Sequence, residues 1–231
     1  MTVVNPALIP ADEDERLAAV RRYDILDTPQ DGAFDRITRL ASLMLGTPIA
    51  IVTIVDHDRI WFKSTAGLEG VEQIDRDPGL CASAILSTEP WIVSDARTDP
   101  RALANPLVAG EFGLQFYAGS PLRTADGYNL GTLCVIDREP RELDDDQVRV
   151  LQDLAALVVD ELELRLAARR QARRATELND DVVQSLTVAK MRLQVGAADE
   201  ALPALDQAII ASKRILAELV EDLPHLRRSE I

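Results

Sequence analysis

The sequence predicts an α+β domain, an antiparallel sheet with flanking helices, followed by a long connecting helix and an antiparallel helical hairpin. Two helical patterns open the chain and a series of apolar runs separated by tight turns follows. The third observation lies at the other end. Between Leu143 and Gly196 there is neither Gly nor Pro, so a helix is free to run for about 50 residues, or ~75 Å at the standard rise. This divides the chain into a flexible arm (1–11), an α+β domain (12–142), a connecting helix (143–174), a hairpin (175–223) and a tail (224–231).

The elements follow in order. Pro6 and Pro10 mark a loose arm. From Asp12, Leu17, Val20 and Tyr23 recur at helical spacing until Asp27-Thr28-Pro29 stops the pattern. A second helix spans 32–45, with Phe34, Ile37, Leu40, Ala41 and Met44 as its expected apolar face and Gly46 as its C-cap. Ile49-Ala50-Ile51-Val52-Thr53-Ile54-Val55 is dense in β-branched residues and reads as a buried strand. Asp56-His57-Asp58 turns it into a return strand over 59–64. Residues 65–79, rich in Gly and Asp, read as a loop, 80–87 as a short helix, and 91–94 as a strand. The stretch 95–106 reads as a loop with a helical turn. Strands at 116–122 and 130–137 flank the turn Thr124-Ala125-Asp126-Gly127. Asp144-Asp145-Asp146 put negative charge where a helix start favours it. Gly196 breaks that helix. Pro203 is expected in the first turn of the next one, which carries Leu205, Ile209, Leu216, Leu219 and Leu223 on one face and ends at Pro224.

Composition removes several functions. The formal net charge of -14 opposes nucleic acid as a partner, because phosphate binding needs a basic face. The excess is uneven: the first 145 residues carry 24 acids against 13 bases. At 4% aromatic residues, stacking platforms for single strands are not expected. No apolar run approaches the ~18 residues that cross a bilayer, so no membrane partner is expected. The N-terminus carries Asp12-Glu13-Asp14-Glu15 in place of a basic-then-apolar signal. A cytoplasmic location follows as the expectation, with Cys81 and Cys134 kept as thiols. Two histidines, His57 and His225, do not make a metal site, so no metal is expected. His57 sits in a turn among acids and reads as solvated.

Tyr23-Asp24-Ile25-Leu26-Asp27-Thr28-Pro29, Trp61-Phe62-Lys63-Ser64 with Gly67-Leu68, and Cys81-Ala82-Ser83-Ala84-Ile85 stand in sequence. Tyr117-Ala118-Gly119-Ser120-Pro121-Leu122 and Gly131-Thr132-Leu133-Cys134-Val135-Ile136-Asp137 follow them. Together these resemble the GAF domain, in the branch found in bacterial sensor kinases and cyclases, over about residues 12–170. The resemblance implies a central antiparallel sheet with helices on one face and a small-molecule pocket on the other. Members bind cyclic nucleotides, tetrapyrroles, haem or metabolites, and many bind nothing known, so the cofactor stays unknown. Trp61, Cys81, Asp95, Phe116, Tyr117 and Cys134 are the pocket candidates by placement on strands and loops. The opposing reading of each is core or surface. Two thiols within bridging distance would make a redox switch. One enzyme branch of the family reduces free methionine sulfoxide with cysteines, a further and lesser alternative.

Glu177-Leu178-Asn179-Asp180-Asp181-Val182-Val183-Gln184-Ser185-Leu186 resembles the phosphoacceptor helix of histidine-kinase dimerisation domains, over about 174–223. The family's phosphorylated histidine falls at Asn179, whose amide has no nucleophilic nitrogen. No glycine-rich phosphate loop occurs, and autokinase activity is not expected. Asp180 and Gln184 are spaced i and i+4 on one helix face. In the family such a pair supports phosphatase action, the carboxamide orienting water toward a partner's aspartyl phosphate. The other reading is structural. Ala168, Ala172, Ala175, Asn179, Val182, Leu186, Ala189 and Leu193 alternate spacings of four and three, a coiled-coil seam in which a lone Asn sets register. Arg165, Arg169, Arg170, Arg173 and Arg174, interleaved with Glu161, Glu163 and Glu177, read as a solvated face or as a docking site for an acidic partner. The expectation is therefore a homodimeric sensor whose hairpins pair as a four-helix bundle and engage a response regulator or other signalling protein.

Overall fold

A computed structural model describes residues 5–103 and 105–221. It falls into two compact units that meet at residues 165 and 166. In the first unit α1 (Glu13–Tyr23) begins with Glu13, Asp14 and Glu15 and ends with Arg21 and Arg22, the charge order its dipole favours. The helix α2 (Gly32–Leu45) is capped by Asp31, which accepts from Ala33 N at 3.2 Å. Gly46 closes it at φ 64°, a left-handed conformation that glycine adopts without strain. The buried face of α2 is Phe34, Ile37, Thr38, Ala41 and Leu45, and Leu40 and Met44 are exposed, contrary to expectation. The stripe turns on Thr38, whose hydroxyl lies 3.0 Å from Ser64 Oγ on the sheet.

Six antiparallel strands follow: β1 (Ile49–Val55), β2 (Arg59–Ala66), β3 (Gln73–Asp75), β4 (Trp91–Val93), β5 (Phe116–Arg123) and β6 (Asn129–Asp137). Their spatial order is β3-β2-β1-β6-β5-β4. The edge strand β3 lies inside the stretch read as loop. It is three residues long and largely polar, and only its pairing with β2 makes it a strand. Two short helices, α3 (Leu80–Ala84) and α4 (Pro106–Ala109), interrupt the sheet. The helices α1 and α2 cover one face, and α3 packs against β5, β6 and β1. Side chains alternate between faces. A bulge where Val52 gives way to Thr53 leaves Lys63 unpaired in β2. Lys63 reaches Thr28 Oγ1 at 2.9 Å, Pro29 O at 2.5 Å and Asp31 at 2.9 Å.

The helix α5 (Asp145–Gln194) starts in this unit, where Leu151, Leu154, Ala155, Val158 and Leu162 are buried. Arg165 is fastened rather than solvated: it forms two bonds to Asp31, at 2.7 and 2.8 Å, and one to Glu161 at 2.7 Å. Burial would raise the Asp31 carboxyl, but Arg165 and Lys63 together hold it far below the usual carboxylate range. Burial and Glu163 push the Tyr23 hydroxyl up to about 12.

The second unit holds the rest of α5 and α6 (Ala198–Glu221), joined at Gly196 with φ 79°. Because α6 begins at Ala198, Pro203 lies inside the helix and not in its first turn, where its ring forgoes one backbone bond. Ala189, Ala201 and Ala204 are buried together with Leu205 against them. Leu223 and Pro224 lie outside the described residues, as do the side chains of Leu216 and Leu219. Among the described residues no helix is long and apolar enough to cross a membrane.

Candidate functional site

The sheet face away from α1 and α2 carries a cavity of about 150 Å³. Alternation decides what enters it. Ile51 and Thr53 of β1, Phe62 of β2, Tyr117 of β5, and Cys134 and Ile136 of β6 all face it. Cys81 comes from α3. Leu68, Val71, Leu107 and Phe112 are only half-buried and form its rim. Three of the six sequence candidates, Cys81, Tyr117 and Cys134, thus line one cavity. The other three do not. Trp61 is on the opposite face, its ring 5.9 Å from Lys63 Nζ, which also lies 5.3 Å from the Phe34 ring of α2. Its neighbour Phe62 takes the cavity position. Phe116 is buried one residue before Tyr117 and faces the other way by the same alternation. Asp95 bonds Arg97 through its carboxylate at 2.9 and 3.0 Å, at the surface.

The floor concentrates the polar atoms of an otherwise apolar site. Cys81 Sγ and Cys134 Sγ are 3.9 Å apart, and both residues are free thiols. The Tyr117 hydroxyl donates to Cys81 Sγ at 3.4 Å. Thr53 Oγ1 and Thr132 Oγ1 are 3.0 Å apart beside them. Of the two sulfurs Cys81 gives up its proton first, because hydrogen bonds from Cys134, Thr132, Tyr117 and Thr53 draw it down against its burial. Cys134 is pushed well up by the Cys81 sulfur beside it and by burial. Burial and the same two sulfurs raise Tyr117.

Gly119 makes this floor possible. A Cβ there would sit 2.3 Å from the Tyr117 hydroxyl and 2.8 Å from its ring carbon Cζ. Tyr117 therefore lies along its own strand over Gly119 and brings its hydroxyl to the thiol. Neither Gly119, Phe62 nor Thr53 stood out as a site residue in the sequence. A small residue two positions after a buried tyrosine was the available signal. Gly119→Ala is expected to displace the Tyr117 hydroxyl from Cys81. The check is the pH-dependent thiolate absorbance of Cys81 in a Cys134→Ser background, which should move to higher pH when the hydroxyl is lost.

The second unit has a groove of about 450 Å³ between α5 and α6. Gln184, Ser185 and Asp181 line it from α5, and Gln207 and Arg214 from α6. Arg214 pairs with Asp181 at 3.5 Å. Gln184 is in the groove; Asn179 and Asp180 are exposed and outside it. The acid that shares the groove lining with Gln184 is Asp181.

Comparisons bear on the first unit. A cyclic di-GMP phosphodiesterase of Pseudomonas aeruginosa is 45% identical over 151 residues, which is 65% of this chain and 26% of that protein. The chain spans about a quarter of the length of that curated relative. The GAF domain of an Acinetobacter phosphoenolpyruvate-protein phosphotransferase shares its fold at 17% identity and a TM-score of 0.50, covering 69% of this chain and 97% of that one. A free methionine-R-sulfoxide reductase of Neisseria meningitidis aligns at 19% identity with a TM-score of 0.47, over 74% of this chain and 96% of that one, a likeness too slight to speak to activity. The GAF domain family model matches residues 30–162, more than half of the sequence, with the sheet and the cavity inside the match. The chain belongs to the GAF domain family, a family of signalling and sensor domains.

Proposed function

We propose that this chain is a cytoplasmic sensor whose GAF domain answers to a small ligand and whose helical hairpin pairs with a second copy as a four-helix bundle. The observation that carries the pairing is the hairpin's surface. Its internal contact is made by small alanines, while Leu186, Met191, Leu193, Leu202, Ile209 and Ile210 remain 47 to 66% exposed. Leu186 and Leu193 are seven apart, as are Leu202 and Ile209, the repeat of a second apolar seam. A two-helix hairpin cannot cover both of its own seams, and a second copy covers them. The lining of the GAF cavity, apolar above its thiol and hydroxyl floor, suits an uncharged molecule better than a nucleotide phosphate. The cytoplasmic placement rests on the sparse cysteines.

Sedimentation equilibrium tests the bundle. The wild type is expected to be a dimer and Leu186→Glu with Ile209→Glu a monomer with an intact GAF domain. A monomeric wild type sinks the reading.

For the output, we infer a docking surface for a response regulator, kinase-inactive because Asn179 stands at the acceptor position. A second reading is favoured by the exposed Gln184 beside an open groove: phospho-aspartate phosphatase action, with Gln184 orienting water. Loss of phosphate from preloaded regulators, measured with wild type and Gln184→Ala, separates the two. Acceleration by wild type alone supports the phosphatase; no acceleration by either leaves docking. The relative's phosphodiesterase activity is not carried over, since this chain matches only a quarter of that protein.

A further inference from the structure

We propose that Cys81 and Cys134 form a reversible disulfide when an uncharged organic hydroperoxide enters the GAF cavity. The proposal is independent of the hairpin's pairing and output. Four features of the floor converge on it. Two thiols that are 53 residues apart in sequence lie within 3.9 Å, with no other cysteine in the chain. Both are buried, Cys134 completely, but they line the cavity, whose rim residues are only half-buried, so the way to them for a small apolar molecule is past that rim. Tyr117 donates to the Cys81 sulfur, and Gly119 gives up a side chain so that it can. The buried hydroxyls of Thr53 and Thr132, bonded to each other, lie beside the pair and place polar atoms next to the sulfurs in an otherwise apolar site.

The chemistry balances with the hydroperoxide as the two-electron oxidant. The Cys81 sulfur attacks the outer peroxide oxygen, and the O–O bond breaks. The alkoxide leaves as the alcohol, taking the proton that the Cys81 thiol gives up, while the Tyr117 hydroxyl stays bonded to the sulfur. Cys81 is then a sulfenic acid. The Cys134 sulfur attacks it, the S–S bond forms and the S–O bond breaks. Water leaves, taking the Cys134 proton with the hydroxide. Two thiols and one hydroperoxide become one disulfide, one alcohol and one water. Closure draws the sulfurs from 3.9 Å to about 2.05 Å, and the adjoining cavity leaves room for the side chains to turn. A dithiol reductant reverses it by exchange.

The test uses the full chain and tert-butyl hydroperoxide at a small excess, read by intact mass and by thiol titration after denaturation. Wild type is expected to lose about 2 Da and both free thiols, and to regain them with a dithiol. Cys134→Ser is expected to stop at the sulfenic acid, a gain of about 16 Da trapped by dimedone on Cys81. Hydrogen peroxide at equal concentration should react at least several-fold more slowly, because it gains nothing from the apolar walls. The wild-type measurement needs no variant to fold. Two thiols still titrating after excess hydroperoxide would overturn the proposal. So would dimedone labelling confined to residues other than Cys81.

Discussion

Glu13→Gln is expected to destabilise the GAF domain by about 3–5 kcal/mol, measured by urea unfolding at neutral pH. Glu13 is the carboxylate that neutralises two buried guanidiniums. Arg16 bonds it at 2.7 and 2.9 Å, and Arg76 makes a short bond to it. Both arginine side chains are almost fully enclosed, and Glu13 itself is only 14% exposed. Other guanidinium hydrogens go to backbone carbonyls, while Arg76 Nε is buried without a partner among the described residues. Arg16 reaches Val55 O at 2.8 Å, and Arg76 reaches Asp56 O at 3.1 Å and Leu8 O at 3.0 Å. An amide at position 13 keeps the shape and removes the charge, leaving two cations in a low-dielectric site. The pH dependence has a definite sign. Burial alone would raise Glu13, but the two arginines hold it below the usual carboxylate value. A depressed folded-state pKa stabilises above the unfolded value of about 4.3, and that contribution fades as pH falls through the folded pKa. The stability gap between wild type and Glu13→Gln should therefore narrow below about pH 4. A gap that stays constant down to pH 3 would show that Glu13 acts through packing rather than charge.

How much of this was legible in the sequence depends on whether neighbours in the chain decided it. The strand Ile49–Val55 and the helix Gly32–Leu45 announce themselves, one by β-branched density and the other by an apolar stripe ending in Gly46. The 50-residue helix is legible because nothing interrupts it. The edge strand Gln73–Asp75 is not, since a polar tripeptide becomes a strand only when β2 lies beside it. The cavity divides the same way. Cys81, Tyr117 and Cys134 were identified by placement, but adjacent aromatics in a strand point to opposite faces. Sequence alone does not say whether Trp61 or Phe62 faces in. Glu13 was hidden in an acidic run that fits any helix start. Its partner Arg76 is 63 residues away, and only the folded chain brings the two together.

Gly131→Ala is expected to damage the same domain from the middle of its sheet, with at least about 3 kcal/mol lost and soluble yield falling accordingly. Gly131 pairs with Ile54 where β6 meets β1, the central pair of the six strands. A Cβ at 131 would lie 1.9 Å from Thr53 O, 2.7 Å from the Thr53 carbonyl carbon and 2.8 Å from Ile54 Cα. All three are backbone atoms, so no side-chain rotation relieves the clash. The strands must part, and the register on either side is fixed by buried side chains. Gly70→Ala supplies the contrast. Its added carbon meets open space, and the only cost is the left-handed backbone at φ 73°, about 1–2 kcal/mol. The damage at 131 should also reach the cavity. The Thr53 and Thr132 hydroxyls lie next to it, and Cys134 is three residues along the strand. In whatever folded fraction survives, the two thiols should react with an aromatic disulfide reagent faster than in wild type. Gly70→Ala should leave that rate unchanged. Equal stability of the two variants would mean that the strands can separate at little cost, and that the cavity floor is not held by the close approach of β1 and β6.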